Sequence, residues 1–170
     1  MIVPSAISVG ESLALTAFVP GLDWNGDIDC WPLDRHRARV VNPKDRKPWV
    51  QFYDTDRNAA WEAYVGTTVL AQLRGVKVDG DRDFTMPIQE KRIIMNLRFF
   101  MRRPASYPKR IVHDVRKPDL DNLAKGVIDA LVKARVFDDD NAITDLTTCK
   151  RYADEFNPVG VEIEMTFLAL

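Results

Sequence analysis

Apolar positions along the chain fall into six periodic stretches, in which the period switches between about two and about 3.6 residues. From Ser12 to Pro20, Leu13, Leu15, Ala17 and Val19 alternate with Ala14, Thr16 and Phe18 before a Pro20-Gly21 turn, which predicts a strand. Thr55 or Asp56 is placed to cap a helix that runs to about Leu73 and stops at Gly75; Trp61, Tyr64, Val65, Thr68, Val69 and Leu73 follow helical spacing. Lys91 to Met101 reads as a second strand, with Ile93, Met95, Leu97, Phe99 and Met101 on one face. The clearest helix follows: Leu120, Leu123, Ala124, Val127, Ile128, Leu131 and Ala134 form one stripe, and Asp121, Lys125 and Asp129 occupy the opposite face. Ile143 to Tyr152 and Val159 to Phe167 complete a β-α-β-α-β-β order.

Between these stretches, residues 22–50, 75–90 and 102–118 read as long loops. The first holds Trp24, Trp31 and Trp49 among Gly, Pro, Asp and Arg, with little regular structure expected. At 170 residues, the chain is expected to form one domain, 1–170, with a core of its own. Met1 to Leu15 lacks a basic start and carries Glu11, so it does not read as a secretory signal, and no run reaches the roughly 18 apolar residues of a membrane span. A cytoplasmic protein with no membrane partner is expected. Cys30 and Cys149 have no zinc or disulfide-framework spacing and are expected to stay reduced.

Net charge is −1, yet charge is unevenly spread. Lys91 to Lys117 holds nine basic residues against Asp114 alone, and Trp31 to Gln51 holds six against Asp34 and Asp45. Acid gathers between Asp119 and Asp145. Basic surfaces around an acidic centre suit a polyanion together with a divalent cation.

The acidic centre starts at Lys117-Pro118-Asp119-Leu120-Asp121-Asn122-Leu123-Ala124-Lys125. Pro118 favours a helix start next to Asp119, which puts Asp121 in the first turn. Taken alone, an Asp-x-Asp here is most simply a helix cap. Asp138-Asp139-Asp140 changes that balance. The helix is roughly 18 Å long at 1.5 Å per residue, and the seven residues to Asp140 span roughly 23 Å if extended. A reversal after Arg135 can therefore return Asp140 to Asp119 and Asp121. Two such carboxylates about 4 Å apart repel by about 4 kcal/mol at an effective dielectric of 20, so gathering them calls for a cation. Oxygen ligands of this kind suit Mg2+, with Mn2+ able to substitute. Lys125 either pairs with Asp121 or Asp129 or contacts the scissile phosphate. Neither His36 nor His113 is placed to act as a base, which leaves water as the nucleophile.

Together with Asp129-Ala130-Leu131, Asp139-Asp140 and Ile143, this segment resembles the signature of the RusA family of Holliday-junction resolvases. The resemblance implies a mixed α/β fold, a four-stranded mixed sheet with two main helices packed on it, and a homodimer. It implies metal-dependent cleavage of branched DNA at paired symmetric positions, during recombination and repair. It assigns Asp119, Asp121, Lys125 and Asp140 to catalysis and Asp119, Asp121, Asp139 and Asp140 to the metal. The chain departs from the family at Arg135, where Gly is usual, and at Ala142, where Gln is frequent.

Arg102, Arg103, Lys109, Arg110, Arg116 and Lys117, with Arg35, Arg37 and Arg39, are the candidate DNA contacts. Tyr107 or a tryptophan of 22–50 is a candidate for stacking on an opened base. A four-way junction is nearly two-fold symmetric, which suits a two-fold dimer. The competing readings are a flap or general nuclease and a non-catalytic junction-binding protein. A nucleotidyltransferase would carry Gly-Ser before the Asp-x-Asp, and an aspartyl-phosphate phosphatase Gly-Thr where Asn122-Leu123 stands.

Overall fold

A computed structural model of the chain describes residues 5–9, 12–24, 27–29, 37–41, 49–53, 56–74, 77–78, 82–83, 87–88 and 91–169, with side chains for 13–21, 58–74, 87–88 and 91–168. In chain order the elements are β1 (Ser5–Val9), β2 (Ser12–Pro20), β3 (Leu22–Trp24), β4 (Asp27–Asp29), β5 (Arg37–Val41), β6 (Trp49–Tyr53), α1 (Asp56–Leu73), β7 (Lys77–Val78), β8 (Arg82–Asp83), β9 (Lys91–Met101), α2 (Leu120–Lys133), a 3-10 turn (Asp140–Ala142), β10 (Ile143–Tyr152) and β11 (Gly160–Ala169). The order β1-β2-β11-β9-β10 makes one mixed sheet, antiparallel except where β10 runs parallel to β9. That pair needs a crossover, and α2 supplies it.

The four strands expected from the alternation are all present, and β1 adds a fifth at the edge. Register explains the core. Val19, Val161 and Phe99 lie side by side across three strands, as do Ala17, Ile163 and Leu97, then Leu15, Met165 and Met95. All nine are at most 1% exposed. Trp61, Val65, Val69 and Leu73 of α1, with Leu123, Val127, Ala130 and Leu131 of α2, bury the same face. A period-two face thus meets two period-3.6 stripes. Gly66 of α1 packs tightly on the end of α2: a Cβ there would lie 2.7 Å from the Cβ of its C-cap residue, Ala134.

The opposite sheet face carries a polar cluster at its centre. Glu162 is level with Arg98, and Glu164 two pairs further along with Asn96. Arg98 pairs with both, at 2.8 Å from Glu164. Burial favours protonated Glu164, but the Arg98 guanidinium outweighs it and holds that carboxyl below its usual range. Beyond Thr16, β1 no longer covers the outer edge of β2. There the Gln72 side-chain amide donates to Phe18 O at 2.5 Å and accepts from Phe18 N at 3.0 Å, as a neighbouring strand would.

Helix α2 ends in a Schellman motif. Arg135 N donates to Val132 O at 2.9 Å and Val136 N to Leu131 O at 3.0 Å. Val136 and Leu131 are both fully buried, the apolar contact that accompanies this motif. Arg135 takes φ +59°, a left-handed conformation that favours glycine. The departure at this position therefore leaves the turn geometry intact and strains one residue. Arg135→Gly should raise stability by about 0.5–1 kcal/mol, the left-handed penalty less the greater freedom of glycine in the unfolded chain. Chemical denaturation reads this directly, and an unchanged or lower midpoint would show that the ion pair with Asp138 (3.5 Å) outweighs the strain.

Within 22–50, expected to be a loop with little regular structure, the described residues form strands. These pair as the hairpins β3-β4 and β5-β6. Short strands rich in Trp, Asp and Arg carry too little alternation to stand out from a loop. A third small hairpin, β7-β8, lies within 75–90. No described helix is long and apolar enough to cross a membrane. Cys149 is unpaired and half-buried, and Cys30 lies outside the described residues.

Candidate active site

Asp119 is the N-cap of α2, where its carbonyl accepts the first helical bond, from Leu123 N at 3.2 Å. Its exposed carboxylate makes no capping hydrogen bond, so the simplest structural use of an Asp at this position is not the one adopted. Asp121 follows in the first turn, also exposed. Helical spacing then sets Lys125 and Asp129 below it, each about 6 Å further along the helix axis.

These three side chains form one wall of a cavity of about 520 Å3. Asp140, Leu146 and Thr148 line it with them, as do Leu120, Ala124 and Ile128. Thr148 is opposite Leu97 in the register, on the helix side of β10, which is why it faces α2. Lys125 forms no ion pair with Asp121 or Asp129 among the described residues. The groove thus brings together Asp121, Lys125 and Asp140 of the expected set. Asp119 stands at the helix start beyond the lining residues.

The three consecutive acids divide by role. Asp138 pairs with Arg135. Asp139 caps the 3-10 turn, accepting from Asn141 N at 2.8 Å. Asp140 is the one that reaches the groove. Asp139 therefore positions the turn that carries Asp140. Among the described residues, no three His, Cys, Asp or Glu side chains come close enough together to enclose a metal ion. The donors suit a hard cation by chemistry, all being carboxylate oxygens. Asp121 and Asp129 are about 12 Å apart along the helix, too far to share one ion.

The basic segment before the site is built around a buried acid. Asp114 is 4% exposed. It accepts from Arg116 N (2.9 Å), Nε (3.0 Å) and Nη2 (2.9 Å), and from the Tyr152 hydroxyl (3.0 Å). Burial alone would raise the Asp114 carboxyl, but these donors prevail and hold it below the usual range. Burial and the neighbouring Asp114 push the Tyr152 hydroxyl up. Arg103 donates to Pro108 O and Ile111 O, and its guanidinium stacks 4.7 Å from the Tyr152 ring centroid. Tyr107 packs edge-on against Tyr152 at 5.7 Å, half-buried, so its ring already has an aromatic neighbour.

Of the candidate DNA contacts, Arg103 and Arg116 thus also hold the segment in shape. Arg102, Lys109, Arg110 and Lys117 are exposed on it. Arg37 and Arg39 are alternate residues of β5, and Arg35 lies outside the described residues. Lys150, Tyr152 and the role of Asp114 are not among the candidates that motif and charge pick out. A signal existed for each: Asp114 is the lone acid among nine bases, and the alternation of β10 puts Thr148, Lys150 and Tyr152 on one face.

Compared with protein-family models, residues 29–166 match the family described as Endodeoxyribonuclease RusA. A comparison with curated proteins gives no match.

Proposed function

The chain belongs to the RusA endodeoxyribonuclease family, and from that membership we propose that it resolves Holliday junctions by paired, symmetric phosphodiester cleavage in DNA recombination and repair. The groove is the observation that carries this reading: one wall presents Asp121 and Lys125, the other Asp140, beside a basic segment. Asp121 and Asp140, which share the groove, with Asp119 at the helix start, would supply carboxylate oxygens to a divalent cation, Mg2+ with Mn2+ as substitute; the three do not enclose an ion in the structure, so the cation itself would have to draw them together. Bound there, it would polarise the scissile phosphate and lower the pKa of the attacking water.

The chain's own groups do the rest. Lys125, without a carboxylate partner on its helix, donates to a non-bridging oxygen of the scissile phosphate. Lys109, Arg110 and Lys117, with Arg102, grip flanking phosphates and supply affinity rather than sequence choice. Asp114 and Tyr152 keep that basic segment rigid while DNA binds. Two copies related by a two-fold axis would present two grooves to the two strands that must be cut.

The test is cleavage of a synthetic four-way junction against a linear duplex of the same sequence, with Mg2+ or Mn2+. Paired cuts in the junction alone are expected. Equal cutting of both would make the protein a general nuclease. Junction binding with no cutting under either metal would make it a non-catalytic junction-binding protein.

A further inference from the structure

We propose that Lys150 is a positioning residue for the carboxylate site: it holds the backbone on either side of Lys117 and thereby fixes Asp119 and the first turn of α2. The inference rests on the nuclease reading above and extends it to a residue outside the Asp-x-Asp signature.

Strand register sets up the contact. Lys150 is opposite Phe99, so its side chain leaves the helix-facing side of β10, as that of Thr148 does two pairs earlier. It is half-buried at the sheet edge. Its ammonium donates to Pro118 O at 2.6 Å and, in a still closer contact, to Arg116 O. Both carbonyls precede the helix. The next one, Asp119 O, already accepts from Leu123 N. Three donors on one tetrahedral nitrogen can meet two carbonyls at once, which a neutral side chain of this length cannot do as well.

The contact also completes a series. Tyr152 N donates to Val112 O at 2.8 Å, His113 bridges to Arg151, and the Tyr152 hydroxyl holds Asp114. Residues 112–118 are thus fastened along β10, and Lys150 makes the last fastening before Asp119. Shifting a reacting group by about 1 Å can cost about 100-fold in rate. Releasing this fastening should therefore slow cleavage without removing any group that binds DNA.

The experiment compares Lys150→Met, similar in length but without a donor, with Lys150→Arg and wild type. Junction binding without metal should stay within about twofold, while the single-turnover cleavage rate falls roughly 30–100-fold. The half-saturating Mg2+ concentration should rise, and Lys150→Arg should recover at least about tenfold in rate. In metal-free protein, hydrogen exchange should quicken in residues 115–121 and stay unchanged in β9 and β11. If Lys150→Met does not fold, Lys150→Gln, which keeps a donor, carries the comparison with a smaller defect. Wild-type cleavage and exchange would overturn the proposal. So would faster exchange throughout the sheet with equal losses of binding and rate, because Lys150 would then serve the fold alone. Asp121→Asn separates the premise from the inference: if it cleaves normally, the active-site assignment falls and Lys150 with it. If it is inactive while Lys150→Met is normal, the positioning role alone falls.

Discussion

Asp121→Asn should reduce junction cleavage by at least about 1,000-fold, equivalent to about 4 kcal/mol of transition-state stabilisation. The substitution keeps the side chain's shape and removes its charge, so the cation loses a hard anionic ligand and gains a weaker neutral one. Little else should change. Asp121 is exposed in the first turn of α2, where a carboxylate contributes only about 0.3–1 kcal/mol through the helix dipole. Junction binding should persist, and tighten slightly at low salt because one repulsion with phosphate is gone. Single-turnover rates and gel-shift affinities, measured on the same preparation, separate the two effects. Cleavage within tenfold of wild type would remove Asp121 from the site. An equal loss of binding would make its role DNA contact instead.

A second large effect is expected from Asp114→Ala, this time on stability. Truncating one partner of a buried ion pair costs about 3–5 kcal/mol, and the low end applies here because Arg116, 41% exposed, can turn to solvent. For a chain of this size, about 3 kcal/mol lowers Tm by roughly 6–12 °C. The pH dependence has a definite sign. The folded protein holds the Asp114 carboxyl below its ordinary range. Its contribution is therefore complete above an unfolded pKa of about 3.9 and is lost as pH falls through the lower folded value. The Tm gap between wild type and variant should be widest near neutrality and narrow below about pH 4. A gap that stays constant down to pH 3 would mean that the loss comes from packing alone. Because the pair also shapes the basic segment, junction affinity should weaken with stability.

The regular elements were readable because each buries one face. Wherever alternation ran unbroken, as in 12–20 and 91–101, the observed strand has the expected limits. The α2 stripe fixed that helix and, by exclusion, the polar face on which Asp121, Lys125 and Asp129 stand. Edge strand β1 escaped notice because its Ser-Ala-Ile-Ser-Val run is short and hardly alternates. Within the site, helix-borne groups could be read from spacing, whereas loop-borne ones could not. Which of Asp138, Asp139 and Asp140 reaches the groove depends on a turn in which the first pairs and the second caps. Lys150 and Asp114 act across 32 to 38 residues of sequence, so the isolation of Asp114 among bases and the strand face of Lys150 could single them out but not name their partners.

Helix α2 places six of the groove's lining residues, three of them charged, and, on its other side, a row of fully buried residues. Mechanically, that wall is a fixed jaw: its charges keep the spacing of the helix pitch and can shift only if the core shifts too. The facing wall differs. Asp140 rides on a single 3-10 turn that joins β10 just before the sheet register slips between Ile143 and Asp145. The distance from Asp140 to the helix charges is therefore set by the geometry of that one turn, whereas Leu146 and Thr148 keep their places in the sheet.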